Sequence, residues 1–102
     1  MRKAMISVHG IDAGILEEIS SREYRFAYLE EYKKPAISMS MPTDKRIYEF
    51  DRFPPFFDGL LPEGFQLEAL LKTDKIDKDD FFTQLVTVGA DLVGAVTVRE
   101  IT

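Results

Sequence analysis

The side chains of this sequence that could perform chemistry are few and widely spaced. His9 is the only histidine, there is no cysteine, and no serine-nucleophile motif is visible. A general base or a metal site needs partners around the imidazole, and Asp12 is the one candidate near it in sequence. We therefore interpret His9 as a structural residue that ends a strand just before Gly10.

The acidic and glycine-rich segments also lack the spacing of a catalytic or ligand-binding site. Because adjacent strand residues point to opposite faces, Glu17 and Glu18 cannot act as a carboxylate pair. The block from Gly89 to Ala95 follows a predicted helix and precedes a predicted strand, whereas a phosphate-binding loop needs the reverse order. The sequence thus predicts no catalytic residue, no metal site and no cofactor.

Length and charge narrow the function classes further. The 102 residues, 45% of them hydrophobic, predict a single domain over residues 1–102. The net charge is -5 and the largest basic cluster is Lys33-Lys34, so the chain lacks the dense basic face that nucleic-acid binding requires. An acidic chain is better suited to a basic protein partner. No apolar run has the length of a signal peptide or membrane span, which favours a cytoplasmic location without membrane contact.

Hydrophobic periodicity predicts the elements that position these residues. Alternation is clearest in Glu23–Tyr28, where three aromatic side chains share one side. The other predicted strands are Met5–Val8, Gly14–Ile19, Ile37–Met41, Lys45–Phe50 and Ala95–Arg99. The predicted helices are one turn at Pro55–Asp58, a helix that starts near Pro62 and runs to Lys72, and a helix capped by Asp77 that stops at Gly89. The fold class is α+β, a small antiparallel sheet or partly closed barrel with two or three short helices.

Phe65 is the least easily placed residue of the Pro- and Gly-rich segment that starts at Phe53. Phe56, Phe57, Leu60 and Leu61 are assigned to the core. Phe65, in contrast, lies about 200° around the helix from Leu67, which belongs to the apolar stripe. It is either a peripheral core residue or an exposed aromatic that anchors a partner, the kind of residue that dominates interfaces.

Three blocks of this sequence resemble the N-terminal subdomain of HipA-type serine/threonine kinases: residues Phe56–Gly64, Phe82–Val86 and Val88–Val96. Shorter stretches at Gly14–Leu16, Phe26–Tyr28 and Ile37–Pro42 fit the same order, so the resemblance spans nearly the whole chain. The ATP-binding and catalytic residues of those kinases lie in a separate core, and none of them can be assigned here. The resemblance therefore implies a protein that is not an enzyme.

A free-standing domain of this kind is similar to HipS, the small antitoxin subunit of HipBST toxin–antitoxin systems. The implied partners are a HipT-like serine/threonine kinase, which the antitoxin inhibits, and a HipB-like helix-turn-helix protein that binds DNA in a ternary complex. The expected partner-binding residues are Pro62, Glu63, Gly64, Phe65 and Gln66, with Phe65 entering or lying beside the kinase active site. The alternative is a non-inhibitory structural subunit that completes the kinase fold or bridges it to the HipB-like protein.

Overall fold

The computed structural model describes residues 1–92 and 94–101. Val93, within the block that resembles HipA, and Thr102, the end of the predicted domain, lie outside the described residues. The strands are β1 (Arg2–Val8), β2 (Ile11–Ser20), β3 (Glu23–Tyr28), β4 (Ile47–Phe50) and β5 (Val96–Glu100). They form an antiparallel sheet in the order β4-β3-β2-β1-β5. The α+β class is confirmed, in the form of an open sheet and not of a barrel.

Three helices follow β4 within residues 1–92 and 94–101: α1 (Pro55–Asp58), α2 (Gly64–Thr73) and α3 (Phe81–Val88). None of the helices in the described part of the chain is long and apolar enough to cross a bilayer. The predicted cap of α3 is wrong by three residues. Asp80, not Asp77, accepts a hydrogen bond from the Thr83 amide, while Asp77 accepts one from Asp79 in the preceding turn. Several aspartates precede this helix, and the sequence pattern alone does not distinguish which of them meets its first free amides.

The core lies on the helix-facing side of the sheet and combines aromatic rings with aliphatic side chains. As predicted, Tyr24, Phe26 and Tyr28 of β3 share one side, and none of them is more than 4% exposed. The Phe26 ring lies 5.9 Å from that of Phe57 in α1, and Phe82 of α3 is fully buried in the same cluster. Large buried rings supply much of the apolar area in a domain of this size.

The predicted strand Ile37–Met41 is wrong. This segment forms a turn in which the Met41 amide donates to the Ser38 carbonyl at 3.1 Å. The Tyr28 hydroxyl accepts from the Ile37 amide and donates to the Met41 carbonyl, so one buried side chain satisfies the backbone that a sheet would otherwise pair. Ile37 and Met41 are buried while Met39 is 99% exposed, so a turn produces the alternation that is typical of a strand.

Arg2 connects β1 and β2 to the start of α3. Its guanidinium donates to Glu18 at 2.7 and 2.9 Å, to Asp80 at 2.9 Å and to Thr83 at 2.7 Å. Burial alone would raise the pKa of Asp80, but the hydrogen bonds from Arg2 and Thr83 outweigh it and hold that pKa below its usual value. The planar guanidinium provides enough donors to serve all three partners.

Gly89 lets the end of α3 approach the edge strand β5. The Val98 amide donates to the Gly89 carbonyl at 3.0 Å, and a Cβ on Gly89 would lie 1.8 Å from the Val98 carbonyl oxygen. At the other end of β5, the Ile101 amide donates to the Lys3 carbonyl at 2.9 Å. The first and last strands are therefore neighbours, and the end of α3 is fixed to the outer edge of the last one.

We expect Gly89→Ala to lower the free energy of unfolding by about 1–3 kcal/mol, because the new methyl group overlaps the Val98 carbonyl. The measurement is urea denaturation followed by circular dichroism. Gly59→Ala is the matched control: its φ is -65° and its Cβ would lie 3.4 Å or more from its neighbours, so this variant should match or slightly exceed the parent's stability. Equal stability of the two variants would contradict the close approach at Gly89.

Removing the charge of Asp80 should lower stability in a pH-dependent way. Because the folded-state pKa of Asp80 lies below its usual value, its contribution is present at neutral pH and is lost as pH falls through that pKa. Asp80→Asn keeps a capping oxygen but should destabilise the protein by about 0.5–1 kcal/mol at neutral pH, since the ion pair is partly exposed. The difference from the parent should shrink between about pH 5 and about pH 2. Asp79→Asn, which changes an exposed neighbour, should show neither effect.

Candidate functional site

The five residues predicted to bind a partner lie together in the structure, where the chain passes from α1 to α2. We call Pro62–Gln66 the corner. Its position is set by Phe57, which is fully buried at the centre of α1, and by a turn in which the Leu60 and Leu61 amides donate to the carbonyls of Phe57 and Asp58 at 3.1 Å. The corner is thus connected to the core by a short segment with little freedom.

Gly64 provides the change of direction at the corner. Glu63 is extended, with φ -130°, and Gly64, the first residue of α2, has φ +58°. An L-residue in this left-handed region costs about 1–2 kcal/mol, whereas glycine adopts it freely. The glycine therefore allows the helix to start immediately after an extended residue.

The Phe65 side chain is 90% exposed, whereas its role as a partner anchor stays a prediction. It points into solvent, and a peripheral core role is wrong. Leu67, Leu70 and Leu71 on the other side of α2 are half-buried, and no residue of this helix is fully buried. A large aromatic ring is therefore held in water on a helix that contributes little to the core.

A groove that the sequence interpretation missed lies beside the corner. We call it the corner groove; it has a volume of about 450 Å³ and is lined by Gly59, Leu60, Leu61, Pro62, Gln66, Val88, Asp91 and Leu92. Two of these residues, Pro62 and Gln66, also belong to the corner. The groove forms because the segment after α1 and the segment after α3 meet in space, which no local pattern predicts.

The two chain segments that form the groove share one feature that is visible in the sequence: both carry acidic residues and neither carries a basic one. Residues 58–68 and 86–94 contain four acidic residues and no lysine, arginine or histidine: Asp58, Glu63, Glu68 and Asp91. Within the described residues none of the four forms an ion pair, whereas Asp12, Glu17, Glu18 and Asp80 are all paired with arginine. Of these, Glu63 belongs to the corner and Asp91 lines the groove, which gives both apolar surfaces an acidic border.

The structure does not join His9 and Asp12 into a site. His9 lies exposed on the tight turn between β1 and β2, with φ 51°. Asp12 accepts hydrogen bonds from Arg99 at 3.0 Å and Ser7 at 2.7 Å, which lower its pKa. Across residues 1–92 and 94–101, no group of three or more acidic, histidine or cysteine side chains is arranged to hold a metal ion.

Comparison with known proteins agrees with the sequence resemblance. The model of the HipA N-terminal domain family matches residues 4–99. An uncharacterized protein of Haemophilus influenzae is 29% identical over 100 residues, which are 98% of this chain and 93% of that protein. The putative kinase Y4dM of Sinorhizobium fredii is 38% identical over 79 residues, which are 72% of this chain and 19% of that kinase.

The fold comparison gives the same result. The solved structure of the N-terminal domain of HipA toxin aligns with a TM-score of 0.80 at 25% identity, covering 100% of this chain and 94% of that one. The family and fold matches are to this N-terminal domain and not to the catalytic kinase domain. They support a HipS-like small subunit that resembles the HipA N-terminal subdomain. By sequence and by fold, this chain belongs to the HipA N-terminal domain family.

Proposed function

We propose that this chain is an antitoxin that binds a separate HipT-like serine/threonine kinase and holds it inactive, without being an enzyme itself. In the complex, Phe65 enters the active-site cleft of the kinase or covers its mouth, and Pro62, Glu63, Gly64 and Gln66 position the ring. A HipB-like helix-turn-helix protein is the third member of the complex and binds DNA. The complex forms in the cytoplasm.

The observation that carries this proposal is the 90% exposure of Phe65 on a corner that the core holds in place. A large apolar ring in water has no benefit for folding, whereas its burial in a partner contributes roughly 1.5–3 kcal/mol. Since the corner is already ordered, little conformational entropy is lost on binding. The ring is thus suited to be the central contact of an interface.

The acidic border of the corner supports a kinase cleft as the binding site. Kinases hold the phosphates of ATP with a lysine, so their clefts present a cationic side chain where the phosphates bind. Glu63 precedes the corner glycine, and Glu68 lies one helical turn after Phe65, both without ion pairs in the described structure. Opposite charges favour the encounter of the two surfaces and disfavour acidic partners.

A second candidate function is a non-inhibitory structural subunit that completes the kinase fold or bridges it to the HipB-like protein. The match to the putative kinase Y4dM favours it, because there a region similar to this chain forms part of a longer protein. In this role the sheet and helices would support the kinase core, and the exposed Phe65 would pack against it without closing its cleft.

Co-expression separates the two functions. If this chain is an antitoxin, cells that express the toxic HipT-like kinase should recover growth when the chain is produced with it, and the purified kinase should lose activity when the chain is added. A structural subunit would leave toxicity unchanged or increase it. Recovery of growth without any loss of kinase activity in the purified pair would contradict inhibition.

We expect Phe65→Ala to weaken inhibition of the purified kinase roughly tenfold to a hundredfold, which corresponds to about 1.5–3 kcal/mol of lost burial. Because the side chain is exposed, the melting temperature should hardly change. Met39→Ala is the matched control, since it removes a 99% exposed apolar side chain from a different loop. A Phe65→Ala variant that inhibits as well as the Met39→Ala variant would exclude Phe65 as the anchor.

A further inference from the structure

The corner groove is an exposed apolar surface that the proposed contact of Phe65 leaves uncovered. Its walls are five half-buried apolar residues: Leu60, Leu61, Pro62, Val88 and Leu92. They come from two segments that are distant in sequence, and their backbones are held by α1 on one side and by the Gly89–Val98 contact on the other. The groove is therefore a preformed recess next to the exposed ring, large enough for an apolar side chain.

The charges around this recess select what can occupy it. Asp91 lines the groove, Glu63 follows Pro62, and the segments that form both walls carry no basic residue. None of these carboxylates forms an ion pair among the residues that the structure describes. A second copy of this chain would bring a further net charge of -5 to the site, which is unfavourable. A lysine or arginine beside an apolar side chain satisfies both features of the groove.

We propose that the corner groove binds an apolar side chain carried on a basic segment of the kinase, outside its active-site cleft. This inference rests on the proposed function and adds a second contact to it. Phe65 is a projection that enters the partner, and the groove is a recess that receives a projection from the partner. Because Pro62 and Gln66 border both, the two contacts form one continuous interface.

The two contacts have different consequences. Phe65 both contributes affinity and blocks the cleft, so its loss weakens binding and also leaves the kinase partly active in the complex that does form. The groove contributes affinity at a distance from the chemistry, so its loss weakens binding, while the complex that does form at high concentration is still fully inhibited.

The test measures affinity and residual activity separately, with the purified HipT-like kinase as the probe. Asp91→Lys reverses an exposed charge at the groove, and Leu92→Ala shortens one wall. We expect both variants to raise the Kd about tenfold or more. Asp91→Lys places like charges opposite each other, and Leu92→Ala removes an apolar contact. Both should still abolish kinase activity at saturating concentration. Binding of the parent should weaken between about 0.1 and about 0.5 M NaCl, and binding of Asp91→Lys should weaken less.

Asp79→Lys is the matched control, because Asp79 is an exposed acidic residue outside the groove. If Leu92→Ala does not fold, the comparison of Asp91→Lys with Asp79→Lys decides. Equal Kd values for the parent and the groove variants, with inhibition lost only in Phe65→Ala, would overturn the groove contact and leave the antitoxin function standing. A parent that neither binds nor inhibits the kinase would overturn both. If the parent chain forms a dimer and Leu92→Ala abolishes that dimer, the groove binds a second copy of the chain instead.

Discussion

The burial of Phe57 against Phe26 is the interaction on which the arrangement of the corner depends. It fixes a helix of only four residues to β3, and the segment from Gly59 to the start of α2 continues directly from that helix. If Phe57 were free to move, neither the exposed ring nor the groove would have a defined position. The position of the corner therefore depends on aromatic packing in the core, and adjacent residues of one segment provide both.

This arrangement separates the residues that stabilise the fold from the proposed partner-binding surface. The buried faces of β3, α1 and α3 hold the fold together, whereas α2 has no buried residue and carries the ring outward. A helix of this kind can change its exposed side chains with little effect on folding, since surface substitutions usually alter stability by less than about 0.5 kcal/mol. The proposed partner-binding surface can thus vary while the sheet remains the same.

Local patterns predicted most of the fold and part of the site. The aromatic alternation of β3, the proline at the start of α1 and the glycine after α3 each have a local physical cause, and these elements were found. The turn at Ile37–Met41 was mistaken for a strand, because the Tyr28 hydroxyl that holds it comes from a distant strand. Helical spacing placed Phe65 about 200° from Leu67 but left open whether its ring was exposed, and the structure shows that it is. The groove was not predicted, because its two walls meet only in the folded chain, although their shared lack of basic residues was visible in the sequence.

The adjacency of β1 and β5 has a consequence for how such a domain changes its genetic context. Since Ile101 pairs with Lys3 across neighbouring strands, the polypeptide enters and leaves the fold at nearly the same place. A linker added after β5, or a break introduced there, leaves the sheet and helices in place. Gene fusion and gene fission at this point are therefore structurally easy. A fold of this design can be part of a kinase in one lineage and a separate polypeptide in another.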